Sequence, residues 1–123
     1  MPTGKTKTFA LVTRLRRKVF LAKGIADDCV EILTVRISDF GGEILGYRMY
    51  PYGILFSCRI PPAIDEKHLI SAIKKATAQK LQETYPELWK MPSFWTKKYF
   101  DGEGTLQENK ENAETFFETI PTR

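Results

Sequence analysis

Residues 47–62 read Tyr-Arg-Met-Tyr-Pro-Tyr-Gly-Ile-Leu-Phe-Ser-Cys-Arg-Ile-Pro-Pro. The second half, from Ile54 to Ile60, is a short apolar, β-prone run closed by Pro61-Pro62, which is the pattern of a mostly buried strand. Residues 43–50 form a second such run. The two meet at Pro51-Tyr52-Gly53, where proline fixes one φ and glycine permits another, so a β-hairpin is predicted at mid-chain.

Before the hairpin, apolar residues fall at Ile25, Cys29, Ile32, Leu33, Val35, Ile37 and Phe40, close to helical spacing. Asp27 and Asp28 favour the helix dipole at its start, and Gly41-Gly42 ends it. Val30, Ile32, Thr34, Val35 and Ile37 are β-branched and pull toward strand, but the aspartates and the paired glycines predict helix. Residues 6–15 alternate loosely, with Phe9, Leu11 and Thr13 on one face and Ala10 and Val12 on the other, and read as a first strand.

After the hairpin, Asp65 is a good N-cap, with Ile64 placed to staple against Leu69. Leu69, Ile70, Ile73, Thr77 and Leu81 then make one helical stripe, with Lys67, Ser71, Lys74, Lys75, Ala78 and Gln82 opposite. The helix is predicted to end near Tyr85, because a residue preceding proline is disfavoured in the α region. Residues 86–92 read as a connector and the aromatic run 93–100 as a last strand. Residues 101–104, Asp-Gly-Glu-Gly, read as a flexible turn, and residues 106–117 as a final helix with Leu106, Ala113, Phe116 and Phe117 on its apolar side. The order is βαββαβ, an α+β ferredoxin-like sandwich with an extra C-terminal helix.

A chain of 123 residues suits one domain spanning 1–123. No run approaches the ~20 apolar residues of a membrane helix and no signal-peptide pattern opens the chain, so a cytoplasmic protein without a membrane partner is expected. Cys29 and Cys58 sit within apolar patterns and read as reduced core residues. The net charge of +4 is unevenly spread: residues 1–23 hold seven Lys or Arg and no acid, whereas residues after Phe100 are mainly acidic. A basic cluster suits a phosphate-backbone binder, and equally a solvated loop. No Gly-rich phosphate loop, Cys-x-x-Cys or Ser/His/acid set is present, and His68 reads as a lone surface imidazole.

Three segments resemble the small single-tyrosine (HUH-type) transposases of bacterial insertion sequences and their REP-associated relatives, a likeness running over about residues 6–120. They are the Met49-x-Pro51 hairpin ending in Pro61-Pro62, the basic turn Arg14-Leu15-Arg16-Arg17-Lys18-Val19-Phe20, and Leu88-Trp89 followed by Ser93-Phe94-Trp95 and Tyr99-Phe100. The resemblance implies the ferredoxin-like fold, a homodimer joined edge to edge through the sheets, and a DNA partner, hairpin or single-stranded. It assigns phosphate contact to Arg14, Arg16, Arg17 and Lys18 in the turn and to Lys97 and Lys98 between aromatics.

The family's chemistry is the part that is missing. Its second hairpin strand carries a His-hydrophobic-His metal pair, and the matching positions here are Gly53, Ile54 and Leu55. Its final helix carries a nucleophilic tyrosine followed four residues later by another metal ligand; those positions align with Phe116 and Ile120, or with Phe117 and Pro121 after a one-residue shift. None of these residues supplies a nucleophile or a ligand atom, so neither a metal nor any other cofactor is expected. Tyr50 and Tyr52 lie beside the former metal position, as displaced nucleophiles or as residues that pack and cap the turn. A catalytically inactive DNA-binding relative is the first functional expectation. A protein-interaction module that has lost DNA binding is the second, and a transposase with displaced catalytic residues the third.

Overall fold

The computed structural model describes residues 4–90 and 93–122, the side chains of Trp89 and Lys90 excepted; the connector's Met91 and Pro92 therefore lie outside the described residues. Strands β1 (Lys5–Thr13), β2 (Glu43–Tyr50), β3 (Gly53–Ile60) and β4 (Trp95–Glu103) alternate with helices α1 (Ile25–Asp39) and α2 (Glu66–Thr84), and α3 (Leu106–Glu118) follows. The sheet order is β2-β3-β1-β4, with every neighbouring pair antiparallel. This is the predicted ferredoxin-like arrangement with its additional helix. Among the described residues no helix is long and apolar enough to cross a membrane.

Alternation in the strands divides the core into two layers. Phe9, Leu11, Ile54, Phe56, Cys58 and Ile60 pack under Leu33 and Ile37 of α1 and Leu69, Ile70 and Ile73 of α2. On the other sheet face, Ala10, Val12 and Leu55 pack under Ala113, Phe117 and Ile120. The central strand is therefore dry on both sides, and every residue from Lys7 to Thr13 is buried. Each fully buried Leu, Ile or Phe in these layers contributes about 1.5–3 kcal/mol relative to exposure. Both cysteines are buried and free, and burial pushes both thiols up to about 12.

The helices follow their local signals. Gly24 enters α1 in the left-handed region (φ 88), and Ile25, Cys29, Leu33 and Ile37 form its buried stripe while Val35 stays exposed. The Asp65 side chain accepts from the His68 amide, capping α2, and Tyr85 leaves the helix in an extended conformation ahead of Pro86. All five residues predicted for the α2 stripe are buried, and Trp95 Nε1 donates to Thr77 Oγ1 (2.8 Å). Thr105 and Glu108 close a reciprocal capping box at the start of α3.

Four local expectations are corrected. The first strand stops at Thr13, because Leu15 and Arg16 adopt φ 59 and 51, outside the strand region. The last strand runs on to Glu103 instead of ending at Phe100: Asp101, Gly102 and Glu103 pair with Phe9, Thr8 and Lys7. Gly102 fits that strand because the Asn109 side chain lies against it where a Cβ would stand. Lys74 and Ala78, expected on the open face of α2, are half-buried. Lys74 Nζ donates to the carbonyls of Thr96 (2.9 Å) and Lys97 (3.1 Å), and its burial lowers its pKa.

Candidate nucleic-acid interface

The C-terminal ends of β1 and β2 and the N-terminal ends of β3 and β4 lie together at one end of the sheet. There the basic turn is sewn to the hairpin turn. The Thr13 amide donates to Tyr52 O (2.9 Å) and the Phe20 amide to Pro51 O (3.1 Å). Thr13 Oγ1 lies within donating distance of Arg17 O (2.8 Å) and Tyr52 O (3.1 Å). The Arg14 amide donates to Phe94 O (3.0 Å), which ties the turn to the start of β4 as well. Arg14, Arg17 and Lys18 are exposed in this turn, and Lys97 and Lys98, also exposed, follow further along β4, where successive side chains alternate between the two sheet faces.

Arg16 behaves differently from its neighbours. It is half-buried, its guanidinium lies 5.5 Å over the Tyr52 ring, and its Nε is buried without a hydrogen-bond partner. Tyr52 stacks on Tyr50 (6.1 Å between ring centres, 26° between planes), and the exposed Arg48 lies 5.7 Å over the Tyr50 ring. Phe117 props both tyrosines edge-on, at 4.7 Å from Tyr50 and 5.4 Å from Tyr52.

The positions that the resemblance aligns with the family's catalytic centre lie at this end as well. Leu55, Phe117 and Ile120 share one buried cluster, while Phe116 packs at its margin against Phe100 (6.2 Å). Gly53 pairs with Val12, and a Cβ added there would overlap the Leu11 carbonyl oxygen. These residues do not fit a divalent cation. They offer no ligand atom, and the space in which a side chain at 53 would begin is filled by backbone. Among the described residues, no three His, Cys, Asp or Glu side chains gather closely enough to hold a metal ion.

Sequence reasoning missed two features of this end. It found no base near Tyr50, yet the fold brings Glu114 to it: the Tyr50 hydroxyl donates to Glu114 Oε2 (2.7 Å). Burial, reinforced by this carboxylate, raises the phenol's pKa and keeps it protonated, while the hydroxyl and Lys110 lower that of Glu114. It also passed over Arg48. The available signal was the strand period, which sets residues 48 and 50 on one face.

The family model described as transposase IS200 like matches residues 6–115, ending one residue short of Phe116. A solved structure of a putative transposase from Deinococcus radiodurans aligns with a TM-score of 0.88, covering 98% of this chain and 93% of that one at 17% identity. The structure of a REP-associated tyrosine transposase bound to a REP hairpin aligns with a TM-score of 0.64, covering 91% of this chain and 64% of that one at 15% identity. At such identities the likeness speaks for the fold alone. Among curated relatives, glycine–tRNA ligase beta subunits of Shewanella pealeana and Shewanella halifaxensis are 39% and 38% identical over 61 residues, half of this chain. That match spans 9% of their length. The family match, in contrast, takes in the basic turn, both hairpin strands, all of β4 and most of α3, and by it the chain belongs to the IS200-like transposase family.

Proposed function

We propose that this transposase relative is a single-domain cytoplasmic protein that binds hairpin or single-stranded DNA as a homodimer and does not cut it. The observation that carries the reading is that the positions aligned with the family's reaction centre carry no nucleophile or ligand side chain: Leu55 and Ile120 are buried in one apolar cluster and Phe116 packs at its margin. Strand cleavage needs a nucleophilic oxygen aimed at a phosphodiester and a positive charge to neutralise the developing anion. Apolar packing provides neither, whereas the exposed Arg14, Arg17, Lys18, Lys97 and Lys98 supply what backbone binding needs. The similar REP-associated transposase, bound to a REP hairpin, supports the choice of DNA form. For the dimer, the support is the edge strand β2, whose Leu45 and Tyr47 are exposed large apolar residues, while the opposite edge β4 exposes charged Lys97, Lys98, Asp101 and Glu103.

Fluorescence anisotropy of a hairpin oligonucleotide across a salt series tests the reading. Log affinity is expected to fall with log salt by about 0.7–0.9 per phosphate contact, and Arg14→Ala/Arg17→Ala to flatten the slope by about one to two. A labelled strand incubated with magnesium or manganese is expected to stay intact. Binding with no salt dependence would move the protein-interaction reading ahead. Cleavage that vanishes in Tyr50→Phe would instead identify Tyr50, with Glu114 as its base, as a displaced nucleophile.

A further inference from the structure

Arg16 and Arg48 stand apart from the other cations at this end because each guanidinium rests on an aromatic ring, and the two rings stack on each other. A solvated arginine samples many rotamers. One laid over a tyrosine is held flat, with its N–H edge left for bidentate contact with a phosphate. Three further observations set Arg16 up for such a contact. Leu15 and Arg16 occupy the left-handed region, at φ 59 and 51, a conformation that costs a non-glycine residue about 1–3 kcal/mol and persists where the surroundings impose it. The imposition is visible in the bonds joining Thr13, Arg17 and Tyr52. Finally, Arg16 Nε is buried with no acceptor, so part of the cation is desolvated without compensation and gains from an anion placed against its open edge. The nearby carboxylate does not occupy the pair: Glu114 already takes the Tyr50 hydroxyl and Lys110 Nζ (3.2 Å).

We propose that Arg16 and Arg48, seated on the Tyr52–Tyr50 stack, form a phosphate-binding station for an unpaired DNA strand crossing the sealed centre. Phe117 supports both tyrosines from below, so the helix that carries the family's nucleophile here braces a binding platform. A phosphodiester oxygen meets the terminal N–H groups of the Arg16 guanidinium, and Arg48 takes a phosphate further along the same strand. This rests on the DNA-binding reading above and adds to it a separate task for the unpaired segment.

The test compares two probes, a blunt hairpin oligonucleotide and the same hairpin with a single-stranded thymidine extension. Wild type is expected to bind the extended probe more tightly. Arg16→Lys and Arg48→Lys keep the charge but lose the planar fork, and each is expected to cost about tenfold on the extended probe while leaving the blunt probe within about twofold. Arg17→Ala is expected to weaken both probes alike. Wild-type affinity of both lysine variants for the extended probe overturns the proposal, as does a wild type that gains nothing from the extension; in either case hairpin binding stands. A wild type that binds neither probe overturns the DNA-binding reading and this one with it.

Discussion

Replacing Gly53 with alanine asks whether the position that the resemblance aligns with a metal ligand is closed by geometry or only by lacking a side chain. The new Cβ meets the backbone carbonyl oxygen of Leu11, and neither partner can step aside. Gly53 is fixed in the ladder opposite Val12, and Leu11 is fully buried. A flexible side chain would swing away, whereas a carbonyl in the middle of a sheet moves only with its strand. Overpacking of this kind costs about 1–3 kcal/mol, a sizeable part of the ~5–15 kcal/mol that holds a domain folded. For a chain of this size each kcal/mol lowers Tm by about 3–6 °C, so Gly53→Ala is expected to melt lower by between about 3 and 18 °C. Rebuilding the ligand pair is worse. Leu55→His sets an imidazole among Ala10, Val12, Ala113, Phe117 and Ile120, where an unpaired polar group costs about a further 1–3 kcal/mol. Gly53→His/Leu55→His is therefore expected to melt below either single variant and to take up no manganese in calorimetric titration. A double variant as stable as wild type that binds manganese stoichiometrically refutes the reasoning, since it would mean an open site lacking only its ligands.

Tyr50→Phe removes the hydroxyl that donates to Glu114 and is expected to cost about 1 kcal/mol at neutral pH. Because the folded phenol's pKa is raised above its ordinary 10.0, its contribution is complete below about pH 10 and is lost as pH rises through the folded value. Urea titrations at neutral pH and at about pH 11 are thus expected to show the gap between wild type and variant narrowing, and a constant gap contradicts this. Trp95→Phe deletes the donor to Thr77 Oγ1 and is expected to lower stability by about 1–3 kcal/mol; an unchanged melting curve would mean the bond is idle. On the β2 edge, Leu45→Glu/Tyr47→Lys is expected to turn a dimer into a monomer by light scattering, and a wild type already monomeric at tens of micromolar removes the proposed pairing.

The parts of the fold that were legible are those where local and long-range preferences agree. Pro51 and Gly53 mark the hairpin, Asp65 and Pro86 bracket α2, and the apolar stripes of both long helices turn inward, apart from Val35, which the expected α1 stripe included and which stays exposed. The run from Asp101 to Glu103 shows the opposite. Its composition favours a turn, but pairing with β1, the ion pair from Lys7 to Glu103 (3.4 Å) and the approach of Asn109 hold it as strand. Lys74 reads as solvent-facing from its charge, yet it stands four residues after Ile70 and three before Thr77, beside the buried stripe, and its stem carries the ammonium to β4. At the candidate site, the exposed cations could be named from charge alone. The joining of Arg16, Tyr52, Tyr50, Arg48 and Phe117 could not, because it depends on α3 folding back across the sheet and on two left-handed residues that no propensity favours.

The dry central strand also bears on how the chain refolds. Residues up to 103 supply all four strands and both flanking helices, so the sheet can form before α3 docks on it. Until α3 docks, Ala10, Val12 and Leu55 face water as an apolar strip on an otherwise complete sheet. The chain is then at its stickiest, and the docking of α3 ends the exposure. A stop codon just before Thr105 would make that exposure permanent, giving a protein with every strand in place and a strong tendency to aggregate.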